Sequence, residues 1–425
     1  MPALVYKTDN GNLQALSDGD TVTVPGNIDI TGNLTWNSRR VVPEYFIFVE
    51  SKEDFPAAVD GVRTLEDNKT YYITTNVDLE GDRLVGGVNT VLQGSSSENS
   101  VLSSTGLSGT ALITTNYALP MQHITITAEI GIDFDASATG TQALDWFGVN
   151  FTDCGTVGNI KGASNFILKA GALINSGGLS FDGTIGTVGF DGCLLSTPAG
   201  EVGLTLKSTA TITRRLHAIY SAVIAPPTAT AFLIEDTAAL TNNETFILDT
   251  INFAGGGTYI SGVDEHSIKT LWKNNTGIAN SVSAANFYMI GNATATTFSA
   301  ANTFTKILGT TTVGTYISKF SHTNNRVTYT GNLTRLFKFA GVVSMSGGAR
   351  DVLSCQFALN GAAMPQTESK SEIGSIITGR IEGLSIHGLI QMSPGDYVEV
   401  FIANRTDTTS ATITDLNVVV IEVGS

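Results

Sequence analysis

Two short stretches of sequence decide the fold: GVNFTDC at residues 148–154 and TVGFDGC at residues 187–193. Each runs from apolar residues into a phenylalanine and then into a turn that ends at a cysteine. The two Phe-x-x-Cys patterns are 39 residues apart. We interpret that distance as about two coils of a right-handed parallel β-helix, because such a helix stacks like side chains of successive coils in one interior row.

Short apolar runs recur on both sides of these stretches, from Tyr45 to about Pro227, at intervals of 10–20 residues. They are rich in Val, Ile, Thr and Phe, and turns containing Gly, Asn and Asp separate them, which is typical of short β-strands. Few Asn-Gly hairpin signals lie between the runs, so the pattern favours a β-helix over a β-sandwich with similar strand spacing. The residues expected in the β-helix interior are Phe151, Cys154, Phe166, Phe190 and Cys193.

The composition excludes several classes of protein. The chain has 425 residues, of which 42% are hydrophobic and only 14% are charged, and its net charge is −15. The apolar content excludes a disordered chain, and the acidic balance disfavours a nucleic-acid-binding or membrane-surface role. The three cysteines are too few for a disulfide framework and are expected to be reduced and buried. The sequence predicts neither a secretory signal nor a membrane-spanning helix.

Helical periodicity is almost lacking, so we expect an all-β protein. The exceptions are a short amphipathic helix predicted at 51–59, with Phe55 and Val59 on one face as a cap for the β-helix, and a shorter candidate at 236–240. The predicted domains are an N-terminal attachment segment at 1–45, a β-helix shaft at 46–228, the last coils with a connecting region at 229–312, and an antiparallel head at 313–425.

The strands of the predicted head alternate between two faces. At residues 397–403, YVEVFIA, both faces of the strand are largely apolar. One face can fill a sandwich core, and the other then needs a partner surface. The residues expected in the core or in contacts between subunits are Tyr329, Phe337, Phe339, Tyr397 and Phe401.

Several segments of the last third of the chain form a recognisable set: 291–296 GNATAT, 309–312 GTTT, 320–331 FSHTNNRVTYTG, 359–361 LNG, 395–400 GDYVEV and 412–417 TITDLN. On these segments, residues 285–425 resemble the TNF/C1q-like jelly-roll modules that close many phage fibre and spike proteins. More loosely, residues 45–285 look like the β-helical shafts that precede such modules in tailed-phage virion proteins, through 255–258 GGGT and 273–278 KNNTGI. The resemblance implies a homotrimer with three jelly rolls round a threefold axis.

The sequence contains no phosphate-binding loop, nucleophile elbow or metal-ligand pattern, and no cofactor is expected. Its five histidines, at 123, 217, 266, 322 and 387, are isolated along the chain. The enzymatic alternative is a polysaccharide-degrading tailspike, which would place two carboxylates on the outer face of the β-helix or between subunits. The candidate acids are Asp133, Asp135, Asp153, Asp182 and Asp191, with Asp145 and Glu201 as further candidates. Each has turn formation as its simpler interpretation.

One basic doublet, Arg214-Arg215, looks exposed in the predicted β-helix. It can meet an acidic sugar, but a solvated corner or a salt bridge between subunits is the simpler interpretation.

We therefore expect a virion protein made in the host cytoplasm: a trimeric fibre or spike, on the tail or the head, that is not an enzyme. Its partners would be two further copies of itself, other virion proteins through the N-terminus, and a host-surface glycan or protein, without nucleic acid or membrane insertion. The depolymerase on the same architecture is the alternative. A bacterial surface adhesin is a third hypothesis, disfavoured because the sequence predicts no signal peptide.

Overall fold

The computed structural model describes residues 45–374 and 380–423, together with four short strands nearer the N-terminus. These strands form two antiparallel pairs, β1 (Val5–Lys7) with β2 (Leu13–Ala15) and β3 (Thr35–Trp36) with β4 (Arg39–Arg40). Most of the predicted attachment segment at 1–45 lies outside the described residues.

Residues 46–273 form a parallel solenoid. Its strands in chain order are β5 (Phe46–Val49), β6 (Val62–Thr64), β7 (Thr70–Ile73), β8 (Val77–Asp78), β9 (Arg83–Val85), β10 (Val91–Gly94), β11 (Val101–Ser103), β12 (Ile113–Thr115), β13 (Met121–Gln122), β14 (Thr125–Thr127), β15 (Ile130–Asp135), β16 (Ala143–Phe147), β17 (Asn150–Thr152), β18 (Thr156–Lys161), β19 (Asn165–Lys169), β20 (Ala172–Ile174), β21 (Leu179–Asp182), β22 (Thr184–Asp191), β23 (Leu194–Ser196), β24 (Val202–Leu206), β25 (Thr211–Ile219), β26 (Ala222–Ile224), β27 (Thr230–Ile234), β28 (Phe246–Asp249), β29 (Asn252–Ala254), β30 (Thr258–Ser261) and β31 (Thr270–Lys273).

Three parallel sheets run along the solenoid. Among the described residues, the first sheet has ten strands, β5 followed by every third strand from β7 to β31. The second has eight, from β8 to β29, and the third has nine, from β6 to β30. Each coil adds one strand to each sheet, which gives about nine turns. At a strand spacing of about 4.8 Å, the stack is about 40 Å tall. The all-β class and the parallel solenoid are therefore confirmed.

The length of a coil differs from the predicted one. Phe151 pairs in register with Leu173, and Leu173 pairs with Leu195, so these coils repeat after 22 residues. Phe190 lies in the first sheet instead, opposite Leu168. The two Phe-x-x-Cys patterns therefore sit at different corners of the coil, and the prediction that 39 residues span two coils is wrong.

The reason is that aromatic rings from all three sheets meet in one interior. The ring of Phe166 in the first sheet lies 5.0 Å from that of Trp146, 5.2 Å from that of Phe181 and 5.7 Å from that of Phe190. Phe181 belongs to the third sheet. The 15 residues from Phe151 to Phe166, and again from Phe166 to Phe181, thus measure the step from one sheet to another. All five residues expected in the interior lie in the solenoid core: Phe151, Cys154, Phe166, Phe190 and Cys193.

A left-handed residue marks the corner between the first and second sheets in successive coils. These residues are His123, Gly148, Ala170, Gly192, Tyr220, Thr250 and Asn274. Each corner N–H up to Thr250 donates to a carbonyl of the next coil, as from Ala170 to Asp191 (2.9 Å) and from Tyr220 to Asp249 (3.0 Å). Only two of the seven are glycine, so this hydrogen bond holds ordinary side chains in a conformation that they rarely adopt.

The helix predicted at 51–59 is wrong. Within the described residues only three short 3-10 helices occur, Lys52–Asp54, Thr237–Ala239 and Pro365–Thr367. The first ends at Phe55, because the proline that follows cannot continue it. Phe55 is buried against Tyr71, with ring centroids 5.4 Å apart, whereas Val59 is exposed. The two side chains therefore do not share a face.

An antiparallel domain, called the head below, follows the last coil. Its strands are β32 (Ala284–Met289), β33 (Thr305–Lys306), β34 (Thr312–Ser318), β35 (Phe320–Thr323), β36 (Arg326–Tyr329), β37 (Arg335–Ser346), β38 (Val352–Leu359), β39 (Ala362–Ala363), β40 (Ser369–Glu372), β41 (Glu382–Met392), β42 (Tyr397–Asn404) and β43 (Thr412–Glu422).

The head consists of two sheets packed on one core. The five-stranded sheet has the order β34-β32-β43-β37-β41, and the other is built around β35-β36-β42-β38-β39 with β33 and β40 at its sides. Tyr329, Phe337 and Phe339 are fully buried between them. Since β32 pairs along β43, the head begins at Ala284, and residues 284–312, predicted as a connecting region, contribute strands to it.

Candidate functional site

The outer surface of the five-stranded sheet carries an exposed apolar patch, called the apolar face below. Its members are Leu336, Val342, Leu389, Val419, Ile421 and Val423, and their exposed fractions lie between 38% and 57%. They meet across three adjacent strands, where β37 pairs with β41 on one side and with β43 on the other. The exposed Lys338 stands between Leu389 and Ile421 on the same face. A group of exposed aliphatic side chains on one sheet commonly marks an interaction surface.

The outer surface of the strand at 397–403 is covered instead, so the open apolar surface expected there is wrong. Glu399 on that surface is buried, and its Oε1 lies 2.6 Å from Lys306 Nζ and 2.9 Å from an Arg326 nitrogen. The guanidinium of Arg326 also lies 3.8 Å from the centre of the Tyr397 ring. Phe401 on the same surface is half-buried opposite Lys306. The chain thus covers this surface with its own cations.

A groove of about 490 Å³ lies on the outer face of the third sheet. Thr114, Asp133, Asn159 and Ser180 stand in register across it on four successive coils. Arg83 at its edge donates to Thr114 Oγ1 (2.6 Å), and the Ser180 hydroxyl donates to Asn159 Oδ1 (3.0 Å). Among the residues described as lining the groove, Asp133 supplies the single carboxylate, and it is exposed.

Asp135 shares a strand face with Asp133 but is held in local contacts. Its Oδ1 accepts a hydrogen bond from the Ser137 hydroxyl (2.6 Å), and its Oδ2 lies 3.3 Å from Lys161 Nζ. The bonds from Ser137, and more weakly the charge of Lys161, lower the pKa of Asp135. A carboxylic acid with a lowered pKa is ionised at neutral pH, so Asp135 is a poor general acid.

The remaining candidate acids also have structural partners. Asp153 accepts from Asn175 Nδ2 (2.7 Å) at a corner, and Asp182 accepts from the Thr209 hydroxyl (2.6 Å). Asp145 lies 3.4 Å from Lys169 Nζ, and Glu201 is exposed in the turn before β24. These acids are distributed over different sheets and corners, so the structure does not bring them together into one site.

Asp191 has a partner that the sequence analysis did not identify. His217 Nε2 lies 3.0 Å from Asp191 Oδ1, although the two are 26 residues apart in the chain. His217 faces outward over Gly189, where a Cβ atom would lie 2.4 Å from the ring, and it is still only 2% exposed. Burial lowers the pKa of His217 and outweighs the opposing charge of Asp191, so the ring is neutral at pH 7. In-register pairing of β22 with β25 creates this contact.

A second groove, of about 620 Å³, lies where the solenoid meets the head and is called the junction groove below. Its solenoid wall includes Arg214 and Arg215 of β25, and the head contributes Asn332. The other lining residues are Thr241, Asn242, Asn243, Glu244 and Ile247. The basic doublet noted in the sequence therefore lies in a groove shared by both domains.

A buried ion network lies beneath the junction groove. Glu244 of the solenoid is 3.1 Å from Lys319 Nζ and 3.7 Å from an Arg335 nitrogen, and Arg335 Nη1 lies 2.6 Å from Glu422 Oε1. Lys319 and Glu244 are almost completely buried. Burial lowers the pKa of Lys319, and it raises that of the neighbouring Tyr329 to about 12. These residues join the last coils to the head through complementary charges.

No three His, Cys, Asp or Glu side chains of the described residues lie close enough together to hold a metal ion. No helix in the described ranges has the length and apolar character needed to cross a membrane.

Comparison with known proteins gives similarity at the level of fold. No protein-family model matches the sequence, and no curated protein matches it significantly. Murine APRIL aligns over 33% of this chain and 100% of its own, at 8% identity and a TM-score of 0.25. Eiger TNF from S. frugiperda aligns over 34% and 94% of the two chains, at 8% identity and a TM-score of 0.21. The PRD1 vertex protein P5 aligns over 39% and 86%, at 13% identity and a TM-score of 0.24. Such values carry no argument about function.

Proposed function

We propose that the chain is a subunit of a homotrimeric fibre or spike of a phage particle, in which the solenoid is a stiff shaft and the head binds the host surface. The observation that carries the proposal is the apolar face, a group of six exposed aliphatic side chains on the outer surface of the five-stranded sheet. The resemblance of residues 285–425 to fibre modules is the reason for proposing three subunits and a phage particle. In this proposal the protein is not an enzyme.

The apolar face supports self-association on physical grounds. Burying aliphatic surface stabilises an assembly by about 25 cal/mol per Å². The face also lies on β43, β37 and the edge strand β41 of a sheet whose other side is packed against the core, so its shape is fixed before association. A rigid apolar surface loses little conformational entropy when it is covered. Copies of the same chain are the partner that is always present at equal concentration.

Sedimentation velocity tests the oligomeric state. We expect the full chain to sediment as a trimer at micromolar concentration, and Val342→Asp or Leu389→Asp to give a folded monomer, because each buries a charge in the interface. Ala362→Asp, on an exposed strand of the other sheet, is the matched control and should stay trimeric. A monomeric parent chain would refute the trimer.

The place of the subunit on a particle is a separate part of the proposal. We propose that residues 1–45 bind other virion proteins. A chain truncated before residue 41 is expected to form the same trimer but to be missing from purified particles, as measured by immunoblotting. Labelling of intact particles with antibodies against the head then distinguishes tail from capsid. A truncated chain that still enters particles would contradict this role.

The alternative, a polysaccharide depolymerase, is favoured by one observation, the exposed Asp133 carboxylate in the groove of the third sheet. Purified protein incubated with host capsule or O-antigen distinguishes the two functions through the release of reducing sugar ends. The proposed non-enzymatic role predicts no release. Release that disappears in Asp133→Asn would establish the enzyme instead.

A further inference from the structure

We propose that the junction groove is a binding site for a carboxylated saccharide, with Arg214 and Arg215 as its anion-binding residues. The site does not depend on the proposed fibre role, because it is built from the contact between the two domains of one chain. Its volume of about 620 Å³ is in the range of small-ligand sites, which often lie between domains.

Among the described residues, no neighbouring carboxylate neutralises either arginine of the doublet. Arg214 and Arg215 are exposed, and neither forms an ion pair with a carboxylate in the described part of the chain. The nearest acid in the groove, Glu244, is already bound by Lys319 and Arg335 in the buried network. The positive charge of the doublet is therefore not neutralised locally, in a chain whose net charge is −15.

A β-bulge presents the doublet. Adjacent residues of a strand normally point to opposite faces. Here β25 carries one extra residue, so that Thr213 and Arg214 together oppose Gly186, and the alternation is broken. Both arginines line the junction groove as a result, and Arg214 also lines a neighbouring groove that includes Ser164 and Gly186. The Arg214 guanidinium lies over Gly186, where a Cβ atom would be 2.7 Å from Nη2, and it donates to the Ser164 carbonyl (3.2 Å).

The uncharged residues of the groove supply polar groups. Asn242 donates to the Thr213 carbonyl (3.2 Å), and Asn243 donates to the Thr330 carbonyl of the head (2.9 Å), so both amides are fixed in orientation. Thr241 and Asn332 add polar groups. Amides and hydroxyls match the hydroxyls of a sugar, and a guanidinium matches a carboxylate with two parallel hydrogen bonds.

The composition of the groove also distinguishes between classes of ligand. Ile247 is its single large apolar side chain among the described lining residues, and these include no aromatic ring. A protein partner would need an apolar or aromatic anchor, and a neutral sugar would usually stack on an aromatic ring. The groove can therefore bind a ligand through charge and hydrogen bonds, and a carboxylated saccharide offers both a carboxylate and hydroxyl groups.

Isothermal titration calorimetry with the full chain tests this inference. The probes are trigalacturonic acid, a sialic acid trimer and a hyaluronan tetrasaccharide, each compared with its carboxyl-reduced form. We expect at least one acid to bind more tightly than its reduced form, and Arg214→Ala and Arg215→Ala each to weaken that binding by about tenfold or more.

Two controls keep the result interpretable. Arg350→Ala removes an exposed arginine of the head, outside the groove, and should leave binding unchanged. Thermal unfolding of every variant should match the parent. Equal binding of the acid and reduced forms of all three probes, binding retained in the Arg214→Ala/Arg215→Ala double variant, or equally tight binding of inorganic phosphate would each overturn the inference. The oligomeric state in sedimentation is measured separately, so loss of the trimer and loss of binding are distinguishable.

Discussion

The solenoid and the head differ in how far apart in the sequence their paired strands lie. In the solenoid each strand pairs only with its neighbours one coil before and one coil after, for example Phe166 with Val188. In the head, β32 pairs with β43, so Asn286 faces Val419 across more than a hundred residues of chain. Nearest-neighbour pairing makes solenoid stability a sum of similar local terms, whereas closure of the head requires distant segments to meet at once.

The ion pairs of the solenoid also differ from those of the head. Several solenoid ion pairs are largely exposed and link one coil to the next, such as Lys161 with Asp135 (3.3 Å) and Lys169 with Asp145 (3.4 Å), although Arg63 and Asp82 form a more buried pair. At the junction and in the head, two buried carboxylates are each held by two cations, Glu244 by Lys319 and Arg335 and Glu399 by Lys306 and Arg326. Exposed pairs contribute little to stability, while an unpaired buried charge is strongly destabilising. Electrostatic sensitivity should therefore be concentrated in the last third of the chain.

The largest expected effect comes from aromatic truncation in either core. Phe166→Ala and Phe339→Ala each remove a fully buried ring and should destabilise their own domain by about 3–5 kcal/mol. Hydrogen exchange should rise only in the coils around Phe166 in the first variant, but across all head strands in the second. If hydrogen exchange rose over an equally large part of each domain, the two domains would not differ in cooperativity.

A smaller effect is expected from the ion pairs. Lys319→Ala leaves Glu244 buried with weaker compensation and should cost about 3 kcal/mol in urea unfolding. Lys169→Ala, the matched change in an exposed ladder with Asp145, should cost less than about 1 kcal/mol. The double variant Lys319→Met/Glu244→Leu is the control, since it removes both charges and should recover most of the loss. Similar costs for Lys319→Ala and Lys169→Ala would show that burial at the junction is not decisive.

The corners offer a gain in stability. Tyr220 is exposed and has a φ of 50° at its corner. Tyr220→Gly should stabilise the solenoid by about 1 kcal/mol, because glycine adopts this conformation without strain. Tyr220→Ala keeps the Cβ atom and should give no gain in the same thermal melts. A destabilised glycine variant would mean that the tyrosine ring itself holds the corner.

Ionisation of the solenoid cysteines is expected to have the smallest effect on stability at neutral pH. Burial raises the pKa of Cys193 to about 11 and also raises that of Cys154. The unfolded thiol, with its lower pKa, loses its proton first, so the contribution of Cys193 to stability falls as the pH rises from about 9 through 11. Native labelling by a thiol reagent should stay slow at pH 8 and accelerate only near pH 11. Fast labelling at pH 8 would contradict interior stacking.

Much of the architecture could be predicted because strand patterns are local. Short apolar runs between turns predicted the parallel solenoid, and clear alternation predicted most head strands, such as β38 at 352–359. The predicted coil length was wrong because a phenylalanine on any of the three sheets fills the interior equally well. The helix at 51–59 was wrong because its spacing argument took no account of Pro56, which ends the helical turn.

The surfaces were harder to predict, because they depend on which segments meet. The outer surface of 397–403 looked apolar, but Lys306 and Arg326 come from elsewhere in the chain to cover it. The apolar face had a readable signal, the uninterrupted run VVVI at 418–421, which cannot bury both faces in a two-sheet domain. The contact between Asp191 and His217 and the network around Glu244 had no such signal, since register and domain contact create them.

The repeated corner hydrogen bond also bears on how such a chain could change its length. Each coil presents the same backbone donor at the same corner to the coil that follows, whatever side chain stands there. Residues 171–192 lie between two equivalent corners, Ala170 and Gly192, so their duplication or loss would rejoin the chain in the same geometry. Each such event moves the head by about 4.8 Å along the stack without requiring a new interface. Recombination between coils can thus change the length of the solenoid without changing what the head recognises.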